Sequence, residues 1–160
     1  GKLAADLVEN GDVIFFDCGS SIPFIASQIS SEIKFTALCC SLNTFTILKE
    51  KSHCEVILAG GIYSNHNSFF TPVNNSEVES ILTTKAFISA AGVSNEFGVS
   101  CFNYDEAKVK KIAMKKSRKN ILVFDHTKIN QVKKAYIGDL NQFDLLICDK
   151  ELPKNFYAKK

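Results

Sequence analysis

Five residues that follow an apolar run near the start of the chain have the types expected of an anion-binding turn. The run Val13–Phe16 is followed by Asp17-Cys18-Gly19-Ser20-Ser21, and apolar residues resume at Ile22. Glycine allows a sharp turn, and the amides that open a helix, together with two hydroxyls, can donate hydrogen bonds to phosphate oxygens. A plain helix cap made by Ser20 or Ser21 fits the same residues. The stretch therefore predicts either a phosphate grip or a capped turn.

Three further turns after apolar runs carry small residues. Ser41 follows the second run, Gly60 and Gly61 follow the third, and Ala91 and Gly92 follow the fourth. Absent or short side chains let a ligand approach the backbone. Each turn also has a plainer interpretation: Ser41 as a helix N-cap, the two glycines as a tight turn, and Ala91 and Gly92 as close-packed residues.

Charged side chains occur in two later motifs. Glu106 and Lys110 are four residues apart, so they share one face of a predicted helix. The alternative is a solvated ion pair within a lysine-rich run. Asp125 and Lys128 close another apolar run, with His126 and Thr127 between them. An acid, an imidazole, a hydroxyl and an ammonium group are unusual for a plain turn, although a single histidine carries little weight.

The combined chemistry of these motifs suits a phosphorylated sugar or polyol. Amides, hydroxyls and lysine ammonium groups bind phosphate, and carboxylates accept hydrogen bonds from sugar hydroxyls. We therefore predict a ligand-binding site with the following members: Asp17, Gly19, Ser20, Ser21, Ser41, Gly60, Gly61, Ala91, Gly92, Glu106, Lys110, Asp125 and Lys128.

The elements that must position these residues alternate along the chain. We expect strands at 13–16, 35–39, 55–61, 85–92, 120–125 and 144–149, and helices at 3–8, 22–29, 42–49, 76–82 (with Ser76 as N-cap) and 105–119. Continuously apolar strands separated by helices predict an α/β fold with an open, mostly parallel sheet and helices on both faces. Ligands of such sheets bind outside the carboxyl ends of the strands, where these motifs fall.

Composition limits the function classes. The 160 residues are 46% hydrophobic and carry a net charge of +2, which favours one folded domain over residues 1–160 and gives no strong attraction to nucleic acid or membranes. No apolar run approaches the length of a membrane span, and no secretory signal is visible. The six cysteines have no metal-ligand spacing, so we expect reduced thiols, no metal, and a cytoplasmic location.

The order of the motifs resembles, over nearly the whole chain, the C-terminal effector-binding domain of DeoR-type bacterial transcriptional repressors. That family shows D-x-G-T-T-T, T-N-S-L, G-G, G-A-D-G, E-A-x-V-K and D-H-S-K-F in this order. The matching stretches here are Asp17 to Ser21, Cys39 to Leu42, Gly60-Gly61, Ser89 to Gly92, Glu106 to Lys110, and Asp125 to Lys128.

The resemblance implies a fold, a ligand and partners. The implied fold is like that of ribose-5-phosphate isomerase and the CoA-transferases. The implied function is sensing of a sugar-phosphate inducer, without a cofactor, by a self-associating repressor. Operator DNA is expected to be bound only through an N-terminal helix-turn-helix domain absent from this chain. Within the family, the stretch FTALCCSLNTFTILKEKSHC at 35–54 resembles that of repressors of deoxyribose catabolism, and this resemblance implies deoxyribose 5-phosphate as inducer.

Two residues depart from the family pattern. Ala91 replaces the acid of G-A-D-G, and Cys40 replaces the asparagine of T-N-S. A less polar pocket suits a sugar that lacks its 2-hydroxyl, because an unpaired buried polar group costs about 1–3 kcal/mol.

Two alternatives to a sensor stay open. The first is a phosphosugar isomerase with Glu106 as base and Lys128 or Lys110 as electrostatic stabiliser. The missing acid at Ala91 argues against it, so we predict no catalytic residues and no enzyme activity. The second alternative is an oligomerisation domain whose pocket no longer binds a ligand.

Overall fold

The computed structural model of the chain describes residues 1–74 and 77–156. Eleven strands are β1 (Val13–Phe16), β2 (Phe35–Cys39), β3 (Cys54–Leu58), β4 (Ile62–Tyr63), β5 (Phe70–Thr71), β6 (Thr83–Ser89), β7 (Gly92–Ser94), β8 (Gly98–Cys101), β9 (Ser117–Phe124), β10 (Ala135–Gly138) and β11 (Leu145–Cys148). Five α-helices are α1 (Lys2–Ala5), α2 (Ile22–Gln28), α3 (Leu42–Leu48), α4 (Glu77–Ser80) and α5 (Tyr104–Lys115). Three short 3-10 helices follow at His126–Lys128, Leu140–Gln142 and Lys154–Phe156.

Six strands form the main sheet, in the order β11-β9-β6-β1-β2-β3. Every pairing between them is parallel. This confirms the predicted α/β class and the existence of all six predicted strands, although the strand predicted at 55–61 ends at Leu58. The chain runs outward from β1 in both directions, so the strand order reverses between β1 and β6. In open α/β sheets, such a reversal opens a crevice at the carboxyl ends of the strands.

Helices cover both faces of this sheet, as predicted. In β1, Ile14 and Phe16 pack in one buried cluster with residues of α1, α2 and α3, such as Ile25. Phe15 points the other way, into a second cluster with Val109 of α5. Successive strand residues face opposite sides, so a strand buried on both faces has a continuously apolar sequence.

Three small strands that the sequence did not predict form a second, antiparallel sheet, in the order β10-β8-β7. Its buried residues Val93, Val99 and Ile137 join the same cluster as α5. A short antiparallel hairpin, β4–β5, lies between β3 and α4. The predicted strand at 85–92 is therefore wrong at its end, because Gly92 already belongs to β7.

The longest helix is shorter than predicted. Asn103 caps α5 by accepting hydrogen bonds from the amides of Asp105 at 2.8 Å and Glu106 at 3.1 Å. The helix ends at Lys115, because β9 begins at Ser117 and pairs with β6 from Thr83 onward. The predicted cap Ser76 lies outside the described residues. The cores of the other predicted helices are confirmed, with ends displaced by a few residues.

Candidate functional site

Asp17 and Ser89 lie on the two sides of the strand-order reversal, at the ends of β1 and β6. Asp17 Oδ2 accepts hydrogen bonds from the Ser89 amide at 2.9 Å and the Ser89 hydroxyl at 3.2 Å. Its Oδ1 accepts from the Cys18 amide at 2.8 Å. The carboxylate is fully buried and is held by groups from both strands. It therefore joins the two strand ends that border the crevice.

Lys110 reaches this carboxylate from α5. Its Nζ forms an ion pair with Asp17 and donates to the Ser89 carbonyl at 3.2 Å, and its residue is only 1% exposed. Burial alone lowers the pKa of Lys110, but the Asp17 carboxylate outweighs burial and raises it above its usual range. The alternative of a solvated pair with Glu106 is therefore wrong.

Glu106 lies one helical turn before Lys110 and is half-buried. Its Oε1 accepts a hydrogen bond from the Cys18 thiol at 2.8 Å, and its Oε2 accepts from the Asn67 side-chain amide at 2.9 Å. Two causes raise the pKa of Cys18 well above its usual value. The larger is a hydrogen bond with Cys40, and the second is burial. Cys18 is therefore a neutral donor to Glu106. The carboxylate of Glu106 thus already accepts two hydrogen bonds. A sugar hydroxyl can take the place of one of the two donors.

The loop Gly19–Ser21 follows Cys18 and approaches Ser89 closely. Gly19 has a φ of +122°, and a Cβ there would lie 2.4 Å from Ser89 Oγ, so only glycine fits. Ser20 is exposed, and Ser21 at the start of α2 makes no side-chain capping bond. The plain capping interpretation therefore does not account for these hydroxyls.

Ser41 serves as a helix cap, in accord with its plainer interpretation. Its hydroxyl accepts a hydrogen bond from the Thr44 amide at 3.3 Å at the start of α3, and the residue is 3% exposed. Its backbone forms an antiparallel bridge with Phe69, next to the β4–β5 hairpin. The backbone of Ser41 thus holds the β4–β5 hairpin through its bridge with Phe69.

The paired glycines have different surroundings. A Cβ on Gly60 would meet no heavy atom within 4 Å, so its backbone borders open space. A Cβ on Gly61, whose φ is +151°, would lie 2.0 Å from the Thr71 carbonyl oxygen. Gly61 is therefore required by the close packing of the hairpin, whereas Gly60 leaves room for a neighbour.

Ala91 and Gly92 pack against the second sheet. The Ala91 amide donates to the Ser100 carbonyl at 2.9 Å. A Cβ on Gly92 would lie 2.4 Å from the Gln131 carbonyl oxygen. Close packing, the plainer interpretation, accounts for Gly92, and Ala91 lies half-buried beside it.

Asp125 and Lys128 lie at the end of β9, which neighbours β6 in the main sheet. Asp125 Oδ1 accepts from the Thr127 amide at 2.9 Å, and Lys128 Nζ lies 3.8 Å from Asp125 Oδ2. Beside them, His126 Nδ1 lies 2.8 Å from Asp149 Oδ2. The hydrogen bond with His126 lowers the pKa of Asp149 to about 2.

A cleft of about 370 Å³ connects the end of β9 with the start of α2. Ser21 and Asp125 both line it, together with Phe24 and Asp149. Its volume lies in the range of small-molecule sites, about 300–1,000 Å³. Residues of the first and the last predicted motif therefore line one cleft.

Sequence reasoning did not select Ser89 or Asn67 as site residues. Ser89 belongs to a predicted motif, but its short side chain gave no sign that it would bond Asp17. Asn67 lies in the β4–β5 loop and carries no local pattern. Its hydrogen bond to Glu106 joins residues 39 positions apart in the chain, so only the tertiary fold creates it.

Within residues 1–74 and 77–156, no group of three or more histidine, cysteine, aspartate or glutamate side chains is arranged to hold a metal ion. In the same part of the chain, no helix has the length and apolar character of a membrane span.

Known structures and sequences resemble this chain. By fold, it matches ribose 5-phosphate isomerase A from Methanocaldococcus jannaschii (TM-score 0.58, 14% identity, 80% of this chain and 51% of that one). It also matches eIF2B delta from Chaetomium thermophilum (TM-score 0.66, 12% identity, 94% of this chain and 54% of that one). These identities show a shared fold alone, and they confirm the isomerase-like fold expected from the sequence.

The sequence relatives are regulators of transcription. The chain is 45% identical over 159 residues to the deoxyribose operon repressor of Escherichia coli K12, covering 99% of this chain and 63% of the relative. It is 31% identical over 159 residues to the HTH-type transcriptional regulator GolR of Listeria innocua, again covering 99% and 63%. The chain thus spans less than two thirds of the length of these relatives. A model of the DeoR C-terminal sensor domain matches residues 1–150, and the chain therefore belongs to this family of sensor domains.

Proposed function

We propose that this domain senses a phosphorylated sugar on behalf of a transcriptional repressor. The naming of its relatives as repressors and regulators supports the regulatory role. The observation that carries the ligand class is the Gly19–Ser21 loop, which presents two hydroxyls without a capping role beside the strand-order reversal. Loop amides, hydroxyls and a lysine are the donors that phosphate takes in proteins.

The phosphate is assigned to the Gly19–Ser21 loop and Lys128. Lys128 is a suitable partner because its side chain is 34% exposed and its Nζ lies 3.8 Å from Asp125 Oδ2, a loose ion pair. The shared cleft of Ser21 and Asp125 supports this assignment, since it places the ends of the two motifs around one space. Gly60, which follows β3 and has open space at its α-carbon, leaves room for a ligand to approach the backbone there.

The sugar hydroxyls are assigned to the carboxylate of Glu106. Cys18 and Asn67 donate to its two oxygens at 2.8 Å and 2.9 Å, so a ligand hydroxyl would replace one of these donors. The buried Asp17–Lys110 pair, by contrast, is already neutralised and fixes the strand ends and α5 relative to each other. We propose that this pair contributes to the site by holding the other site residues in position.

The proposed inducer is deoxyribose 5-phosphate. The 45% identity to a deoxyribose operon repressor supports it. The apolar residues Ala91 and Cys40, which stand where the family pattern has polar ones, also suit a sugar without a 2-hydroxyl. Ala91→Asp should raise the affinity for ribose 5-phosphate relative to its deoxy analogue in calorimetric titrations. An unchanged affinity ratio would contradict this account of selectivity.

The phosphate assignment is tested with the double variant Ser20→Ala with Lys128→Ala. Loss of a charge-assisted contact and a hydroxyl should weaken deoxyribose 5-phosphate binding about 10- to 100-fold. The matched control, Ser30→Ala with Lys34→Ala, changes exposed residues of the same types that precede β2, away from the carboxyl ends of the strands. Equal affinities of the two double variants would contradict the proposal.

A phosphosugar isomerase is the second function considered, because the fold is shared with ribose 5-phosphate isomerase A. Glu106 is half-buried and could act as a base, but the Lys110 ammonium group faces Asp17 and is only 1% exposed. We therefore expect no formation of ribulose 5-phosphate from ribose 5-phosphate. Clear turnover by the purified chain, abolished by Glu106→Gln, would reverse this ranking.

The proposed signalling mechanism is a population shift. A ligand that binds one arrangement more tightly moves the equilibrium toward it by that difference in affinity. In the whole repressor we propose that this shift changes operator binding by a separate DNA-binding domain, and that the sensor domains self-associate. If no sugar phosphate raised the melting temperature of the chain, a purely oligomerising domain would be favoured instead.

A further inference from the structure

A surface of exposed aromatic rings and lysines lies across α5 and the second sheet, away from the proposed sugar site. Lys133 Nζ lies 5.1 Å from the ring centre of Phe102, Lys134 Nζ lies 5.2 Å from that of Tyr104, and Lys111 Nζ lies 5.4 Å from that of Tyr136. We call this the lysine–aromatic surface, whose members are Phe102, Tyr104, Lys108, Lys111, Lys115, Lys133, Lys134 and Tyr136.

Helix geometry places half of these residues in one stripe. Tyr104, Lys108, Lys111 and Lys115 are spaced by four, three and four residues, so they lie on one side of α5. All four are exposed. Strand β10, which carries Tyr136 and follows Lys133 and Lys134, packs beside the helix. The lysines therefore form one continuous surface from two elements.

Among the described residues, no carboxylate forms an ion pair with a lysine of this surface. Within residues 1–74 and 77–156, carboxylates form ion pairs with the lysines at 2, 49, 85, 110 and 128, and with none of the five on this surface. The whole chain has 19 basic and 17 acidic residues, so the five unpaired lysines exceed its net charge of +2. This surface therefore presents five ammonium groups that no carboxylate pairs with in the described part of the chain.

The rings of this surface are unusually open for their size. Phe102 is 64% exposed, Tyr104 is 65% exposed and Tyr136 is 45% exposed. A cation near one part of an aromatic ring leaves the rest of the ring free for stacking or for contact with a sugar. Rings alternating with lysines provide both contacts that a nucleic-acid strand needs.

We propose that the lysine–aromatic surface binds the sugar–phosphate backbone of nucleic acid without sequence preference. The stripe from Lys108 to Lys115 covers seven residue steps, about 10 Å of helix. Duplex DNA carries one negative charge per about 1.7 Å of its axis, so about six charges lie along that length. This binding goes beyond the proposed sugar sensing and uses none of its residues.

The test is a fluorescence anisotropy titration of labelled DNA of arbitrary sequence with the 160-residue chain. We expect a dissociation constant of about 10⁻⁴ to 10⁻⁶ M at physiological salt, and an affinity that falls about 40- to 500-fold between about 50 and 200 mM salt if three to five phosphates are neutralised. Separate titrations with duplex DNA and with single-stranded DNA identify which form the surface prefers. Absence of binding to both forms at low salt would overturn the proposal.

Two matched charge reversals locate the surface. Lys111→Glu with Lys134→Glu should weaken binding at least tenfold, whereas Lys34→Glu with Lys49→Glu, which changes net charge equally at exposed positions elsewhere, should weaken it little. Equal weakening would mean that net charge alone attracts DNA, and would overturn the assignment. Equally tight binding of poly-glutamate of similar charge would overturn the choice of nucleic acid over an acidic polypeptide.

A measurement on the unaltered chain removes any dependence on variant folding. Acetylation of lysines, read by mass spectrometry, should be slowed by DNA at Lys108, Lys111, Lys115, Lys133 and Lys134. Lys34 and Lys49 should react at the same rate with and without DNA. Protection spread evenly over all exposed lysines would contradict the proposed surface.

Discussion

Lys110 and Asp17, 93 residues apart in the chain, form a buried ion pair between α5 and the end of β1. The pair lies at the strand-order reversal, where Ser89 of β6 also bonds the carboxylate. It therefore fixes the relative position of three elements on which the other site residues depend. Replacing one partner of the pair tests this role.

Lys110→Met should destabilise the fold by about 3–5 kcal/mol, because it leaves the Asp17 carboxylate buried without a counter-charge. The free energy of unfolding, from urea titration, measures the loss. Lys108→Met is the matched control, since Lys108 is exposed on the same helix.

Asp17→Asn in the Lys110→Met background should recover part of this loss, because the unpaired charge is then removed. A Lys110→Met loss no larger than that of Lys108→Met would show that the pair does not hold the elements together.

Gly19→Ala should both destabilise the chain and impair sugar-phosphate binding. Its φ of +122° is strained for any side chain, and the new Cβ would lie 2.4 Å from Ser89 Oγ. Gly11→Ala is the control, because Gly11 has a φ of +86° but no heavy atom within 4 Å of a Cβ. Thermal melting compares the two variants. Equal shifts would indicate backbone strain alone and no tight contact with Ser89.

Asn67→Ala should weaken sugar-phosphate binding about three- to tenfold with a stability loss of about 0.5–1.5 kcal/mol. The variant removes the donor that orients Glu106 through Oε2, so that the carboxylate can rotate, whereas the ligand hydroxyl is proposed to replace the Cys18 thiol at Oε1. Calorimetric titration gives the affinity, and Asn43→Ala, at an exposed position of α3, is the control. Binding that matched the wild type would exclude Asn67 from the site.

Asp149 should stay ionised to unusually low pH. Its hydrogen bond with His126 lowers its folded-state pKa to about 2, below the unfolded value of about 3.9. The stabilisation from this group is therefore complete above about pH 4 and is lost as pH falls through about 2. Carboxyl carbon chemical shifts follow the titration. In His126→Ala the Asp149 pKa should rise toward its ordinary value, and an unaltered pKa would exclude His126 as the cause.

The main sheet was predictable because its strands carry their signal locally. Runs such as Val13–Phe16 are apolar at every position, since both sheet faces are covered. The β4–β5 hairpin was missed because two-residue strands such as Ile62–Tyr63 have no periodicity to detect. The end of α5 was misjudged because Ser117 to Lys119 are polar, and only pairing with β6 makes them a strand.

The site was predictable in its residues more than in its contacts. Asp17, Gly19, Glu106 and Lys110 all belong to recognisable motifs. Their partners were not predictable, because a buried pair between Asp17 and Lys110 and a bond from Asn67 to Glu106 join distant parts of the chain. Ser41 and Gly61 illustrate the reverse, since ordinary capping and hairpin packing engage the residues selected for ligand binding.

Calorimetric titration of the chain with deoxyribose 5-phosphate and with unphosphorylated deoxyribose tests the central claim most directly. A phosphate held by the Gly19–Ser21 loop and Lys128 should make the phosphorylated sugar bind at least 100-fold more tightly, an effect of about 2.7 kcal/mol. Equal affinity for the two sugars would contradict a phosphate site at this edge of the sheet.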